Sequence, residues 1–268
     1  MGNGRGDRDG DGDQHLERLG PAHLRAVAGA YRDALRSHQE PINRLNVYPV
    51  PDGDTGTNMA LTLASVVDAL EGADDMEATC TAIARGSLMG ARGNSGVILS
   101  QILRGVTQRC RDEKEVGAVD LADALHQASQ AAYGAVMKPV EGTILTVAKG
   151  AAEAAQEAAA GGKSLVEVVQ AARQAACEAL DRTPELLPVL AEAGVVDAGG
   201  LGYVLFFDSL LHVVAGLPLP EPEPVAEGVG VDPATAPSGG DGGVGDLRYE
   251  VMYFLEAPDD EVPAFKEA

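Results

Sequence analysis

The stretch Leu45-Asn46-Val47-Tyr48-Pro49-Val50-Pro51-Asp52-Gly53-Asp54-Thr55-Gly56-Thr57-Asn58-Met59 decides the reading of this chain. Two carboxylates flank a glycine, Pro49 and Pro51 stiffen the approach, and a helical pattern follows. Gly53 and Gly56 let the backbone turn sharply and come close to a ligand. Asp52 and Asp54 can aim hard oxygens at one point, a donor set that suits Mg²⁺. The N–H groups of the helix start beyond them suit a phosphate. On its own, D-G-D reads more readily as a tight turn with Asp as helix cap.

Three further loops shift that balance. Gly90-Ala91-Arg92-Gly93-Asn94-Ser95-Gly96 stands directly before an apolar helix, with Asn94 or Ser95 placed to cap it. Lys138-Pro139-Val140-Glu141-Gly142-Thr143 opens another helix, and Gly194-Val195-Val196-Asp197-Ala198-Gly199-Gly200-Leu201-Gly202 a fourth. One such loop is weak evidence. Four, each before a helix, predict helix N-termini gathered at one end of a bundle around an anion.

The pattern between these loops is helical almost throughout. Leu16, Leu19, Leu24, Val27, Tyr31 and Leu35 recur at helical spacing. Further helices are predicted over 57–71, 75–89, 95–110, 119–136, 143–160, 163–181 and 199–215, with Thr57-Asn58, Asn94-Ser95 and Ser164 as start signals. Short connections imply antiparallel neighbours, and Ala-rich faces such as Ala151-Ala152 and Ala154-Ala155 allow close approach. The expected fold is all-α, a barrel or bundle of about eight antiparallel helices with its site at one end.

Residues 1–14 read as a disordered acidic tail. Asp7, Asp9, Asp11 and Gly12 begin a calcium-loop pattern, but its bidentate Glu falls at Arg18, so the tail reads as solvated. The helical domain spans 15–216. A Pro/Gly-rich linker follows over 217–247, and Arg248 to Leu255 reads as a strand. One strand and a partial helix cannot fold alone, so 248–268 are expected to be the start of a truncated second domain.

Composition excludes several classes. The 268 residues carry 20 Lys+Arg against 41 Asp+Glu, a formal charge of −21, which opposes nucleic-acid and polybasic membrane partners. The longest apolar stretch, Tyr203 to Leu217, reads as too short to span a bilayer and contains Asp208 and His212. Cys80, Cys110 and Cys177 form no C-x-x-C pair, which fits a reducing cytoplasm. Gly162-Lys163-Ser164 resembles the end of a phosphate loop, yet Glu157 stands where its first glycine belongs. The five histidines show no metal spacing, and no G-x-S-x-G elbow occurs.

The order and wording of Leu45–Met59, Gly90–Leu99, Glu141–Lys149 and Asp197–Gly202 resemble the kinase-type nucleotide domain of two bacterial groups. These are the L subunit of dihydroxyacetone (glycerone) kinase and, closer in wording, the A subunit of fatty acid kinase. The resemblance spans roughly 15–216. It implies an eight-helix barrel with ATP or ADP and Mg²⁺ at one end. Asp52 and Asp54 would hold two Mg²⁺ ions, and Asn46 would stand in for a third ligand that the dihydroxyacetone kinase pattern places near Val47. Thr55, Gly56, Thr57 and Asn58 would line the phosphates. Asn94, Ser95 and Gly96 would form the next loop, with Thr143, Asp197, Gly199 and Gly200 near the nucleoside.

The activity so implied is phosphoryl transfer by positioning and charge neutralisation, with no covalent protein nucleophile. The acceptor would be presented by a partner, a fatty acid on a lipid-binding protein. A dihydroxyacetone kinase subunit and a non-catalytic nucleotide-sensing module are the alternatives. A homodimer of the full-length form belongs to the same expectation. One departure is visible: relatives with zinc in the next domain carry a Cys near its start, where this chain reads Tyr249-Glu250-Val251-Met252.

Overall fold

A computed structural model describes residues 15–222. The tail expected at 1–14, the expected linker from 223 onward, and the strand and second-domain start expected over 248–268 lie outside the described residues.

Eight long helices and three short ones make up the described fold. The long ones are α1 (Pro21–Ser37), α3 (Thr55–Ala69), α4 (Met76–Gly90), α5 (Gly93–Cys110), α6 (Ala118–Ala135), α7 (Ile144–Ala160), α8 (Leu165–Asp181) and α11 (Ala198–Ala215). The short ones are α2 (Gln39–Arg44), α9 (Thr183–Leu186) and α10 (Pro188–Ala193). Each long helix packs on the next, and α11 returns to pack on α1, so the ring closes into an all-α barrel. Connections as short as 91–92 and 161–164 force neighbours to reverse direction. The starts of α3, α5, α7 and α11 therefore share one end.

Local chemistry explains most boundaries. Ser164 caps α8 by accepting the Glu167 N–H, and the Glu167 carboxylate accepts the Ser164 N–H at 2.9 Å, a reciprocal capping box. Asp75, Thr143 and Asp197 cap α4, α7 and α11. The first helix differs from its expected extent. Leu16 and Leu19 precede it, because Pro21 occupies its first turn, where a missing N–H costs nothing. Leu19 instead exchanges two 2.8 Å backbone bonds with Val116, and the Leu16 N–H reaches the Val214 carbonyl at 2.9 Å. That segment is a latch, not a helical turn.

The apolar run at 203–217 also requires correction. As α11, Ala198–Ala215 is long and apolar enough by length and composition to cross a membrane. It is instead a core helix, with 72% of its apolar window buried inside the barrel. Tyr203, Phe206 and Phe207 pack together, and Phe206 meets Tyr31, whose hydroxyl donates to the Gly202 carbonyl at 2.9 Å. Asp208, the carboxylate within this helix, is buried against the Arg173 guanidinium of α8.

Candidate functional site

The four predicted loops meet. A cavity of about 560 Å³ opens at the shared end of the barrel, lined by residues from the starts of α3, α5, α7 and α11. Asn46, Asp52, Asp54, Thr55, Asn94, Ser95, Thr143, Asp197 and Gly199 all face it.

The D-G-D loop is built from its ends inward. Asn46 is buried, and its Oδ1 accepts the Thr55 N–H at 3.1 Å and also the Thr55 hydroxyl. Its Nδ2 donates to the Val50 carbonyl at 2.6 Å. Gly53 turns at φ +68°, the left-handed region that favours glycine. The two carboxyls are close neighbours, and the Asp52 pKa is pushed up to about 6, first by desolvation at the mouth and then by the Asp54 charge. Two carboxylates that resist ionising together are the donor set a hard divalent cation would satisfy, with ligand oxygens completing its shell. Among the described residues no group of three or more His, Cys, Asp or Glu could hold a metal by itself.

The helix starts are not equivalent. Asp197 is buried, and its carboxylate accepts the Gly200 N–H of its own helix at 2.7 Å and the Ile144 N–H of α7. A protein anion thus already fills two starts. No side chain caps α5, whose first residues Gly93, Asn94 and Ser95 line the cavity. Its first-turn amides are the ones left to meet an incoming anion.

Five expected site residues stand behind the wall. Thr57 is held from α2, its hydroxyl accepting from Gln39 and Asn43 and its N–H donating to the Asn43 Oδ1. Gly56 lies against the same helix, where a Cβ would come within 2.3 Å of the Gln39 carbonyl oxygen. Asn58 is buried beside Gly93, Gly96 faces Thr62, and Gly200 faces Val147. These residues set how closely helices approach; they do not line the cavity.

Sequence reasoning missed the apolar walls and their support. Val97 and Ile98 of α5, Val136 and Val140 of the α6–α7 loop, and Leu145 line the cavity, along with Lys138. Their helical spacing matches ordinary core residues, so periodicity could not separate them. A small second core braces the mouth: Val47, Leu187, Leu190 and Val195, with Tyr48 and Val140 packed on it. Gly142 abuts Leu187, and the Thr183 hydroxyl accepts the Asp197 N–H at 3.1 Å. Three of the four site loops thus rest on the segment 183–195. Pro184 and Pro188, each in a first helical turn, were the available signal for α9 and α10.

A closed helical barrel whose open end joins an acidic pair to convergent helix starts defines the class of this domain. The family follows from sequence: residues 49–212 match the DAK2 domain model, and the chain belongs to the DAK2 domain family. It is 46% identical over 197 residues to Protein YloV of Bacillus subtilis, covering 73% of this chain and 35% of that one. An uncharacterized protein of Staphylococcus epidermidis is 46% identical over 184 residues, covering 68% of this chain and 33% of that one. The chain spans about a third of the length of these curated relatives. Among solved structures, it resembles the dihydroxyacetone kinase of C. freundii in native form (TM-score 0.52) and in complex with AMP-PNP and Mg²⁺ (TM-score 0.53). Both are 19% identical and cover 78% of this chain and 37% of the kinase, a likeness of fold.

Proposed function

We propose that the cavity binds a nucleoside triphosphate with Mg²⁺. In this reading the domain is the phosphate-donating part of a kinase, and a partner protein presents the acceptor. The favoured acceptor is a fatty acid on a lipid-binding protein, as in fatty acid kinases. The observation that carries the reading is the meeting of Asp52, Asp54 and the uncapped start of α5 on one cavity.

Asp52 and Asp54 would hold the metal, which when bound neutralises charge on the phosphates. The first-turn amides of α5, with Asn94 and Ser95, donate hydrogen bonds to phosphate oxygens. Thr55 sits beside them at the start of α3. Ile98, Val136 and Leu145 offer an apolar surface to the base, with Thr143 and Gly199 on the nucleoside side. Asn46 shapes the loop; to become a metal ligand it would have to release Thr55. Gly56, Thr57, Asn58, Gly96 and Gly200 act from behind the wall by fixing the helix starts. Two metal ions, a cytoplasmic site of action and a homodimer of a longer form belong to the same reading.

Calorimetric titration of ATP with and without Mg²⁺, on the wild type and on Asp52→Asn/Asp54→Asn, tests it. Mg-dependent binding lost in the double variant is expected, and absence of binding by the wild type would sink the proposal. A second reading, a ketone-presenting subunit as partner, draws on the fold shared with dihydroxyacetone kinase. Transfer assays with each type of acceptor protein separate the two. Binding without transfer to either would mark a nucleotide-sensing module.

A further inference from the structure

Three carboxylates line the cavity, Asp52, Asp54 and Asp197, and the cationic side chain facing them among the described lining residues is Lys138. Lys138 has no ion-pair or hydrogen-bond partner among the described residues. By contrast, Lys163 is paired with Glu167 at 3.0 Å.

The loop that carries Lys138 is anchored on both sides of it. The Tyr133 hydroxyl of α6 donates to Glu141 Oε1 at 2.9 Å, and the Thr146 hydroxyl of α7 donates to Glu141 Oε2 at 2.5 Å. Val140 packs on the second core, and the Thr143 hydroxyl donates to its carbonyl at 2.8 Å. Between these anchors Met137 is 77% exposed and Lys138 is exposed as well. The backbone is therefore held over the cavity while the four-carbon lysine stem stays free to swing.

Resting on the nucleotide reading above, we propose that Lys138 contacts the phosphate chain and sets a preference for triphosphate over diphosphate. A free ammonium in a cavity of net negative charge moves toward the densest anion that enters it. A triphosphate brings about one more negative charge into the cavity than a diphosphate does, so the ammonium gains more from it. Lysine suits this task as a compact point charge with three donors that tolerates many approach angles.

Titrations of Mg–ATP and Mg–ADP into wild type, Lys138→Ala and Lys138→Arg, each at low and high salt, test the inference. Loss of a charge-assisted contact predicts roughly tenfold weaker Mg–ATP binding in Lys138→Ala, with Mg–ADP changed less than about threefold. Lys138→Arg should recover most of the loss, and the wild-type advantage should shrink with salt. Because Lys138 is exposed, the three proteins should melt alike. Unchanged Mg–ATP affinity in Lys138→Ala, or equal losses for both nucleotides, would overturn the inference while leaving the nucleotide site standing. A wild type that binds neither nucleotide would overturn both.

Discussion

The side-chain carbonyl of Asn46 accepts the backbone N–H of Thr55 at 3.1 Å, so the loop bearing Asp52 and Asp54 is closed by its own two ends. The same amide donates to Val50 midway along the loop at 2.6 Å. The carboxylates are thus aimed by a residue that does not touch them. Asn46→Ala would strand a buried N–H and a carbonyl, at about 1–3 kcal/mol for each group left unpaired. Urea denaturation should register that loss, and Mg-dependent nucleotide affinity should fall with it. An alanine variant with wild-type stability and wild-type affinity would show that the loop holds its shape without Asn46.

Asp197 predicts a pH dependence. Burial pushes its pKa up to about 6, against the partial relief of the Gly200 and Ile144 N–H groups. A carboxyl raised in the folded state contributes stability that is fully present below its ordinary value near 4 and lost as pH rises through 6. The contribution is on the order of 3 kcal/mol at about 1.4 kcal/mol per pKa unit. Denaturation midpoints should drop between about pH 4 and pH 6 in the wild type, and drop less in Asp197→Asn. Parallel curves for the two proteins would rule out Asp197 as the source.

The acidic pair sets function against stability. Without a cation Asp52 and Asp54 repel, so Asp52→Asn/Asp54→Asn should be at least as stable as the wild type in metal-free buffer. Mg²⁺ with nucleotide should raise the wild-type melting temperature by a few degrees, about 2–4 °C per kcal/mol for a domain this size, and leave the variant unmoved. A shift in the variant equal to that of the wild type would place the metal elsewhere.

The second core at the mouth should open separately from the barrel. Leu190 is 1% exposed and packs with Val47, Leu187 and Val195. Leu190→Ala should cost about 2–4 kcal/mol of local stability. Hydrogen exchange should speed up over 45–55 and 183–197, while amides of α5 and α6 keep their protection. Uniform acceleration across the chain would mean that the brace and the barrel unfold as one unit.

Much of the barrel was legible because its helices are amphipathic and their connections short. Val27, Tyr31 and Leu35 sit at helical spacing and are buried on one face, as their spacing predicts. Besides the first helix, α8 begins at Leu165, two residues after its expected start at 163, because Ser164 is its cap, and two starts fall early. α3 begins at Thr55 and α5 at Gly93, each two residues ahead of its expected start, because neither uses a cap from its own sequence. Asn46 serves Thr55 from nine residues away, and α5 has no side-chain cap. The break at His38 between α1 and α2 and the short helices α9 and α10 were also missed, since each is below the length at which periodicity becomes visible.

The sequence by itself determined that the stretch over 15–216 is helical, that four glycine-rich loops precede helices, and that the richest of them carries paired carboxylates. Those are properties of neighbours along the chain, and period, turn chemistry and capping express them locally. Only the tertiary structure decided which of those residues face a common space. Closing the ring turned Asp52, Asp54, Ser95, Thr143 and Asp197 toward one cavity, set Thr57 and Asn58 behind its wall, and brought Lys138 to its edge. Facing is fixed by how helices pack around the whole barrel, which no local window contains.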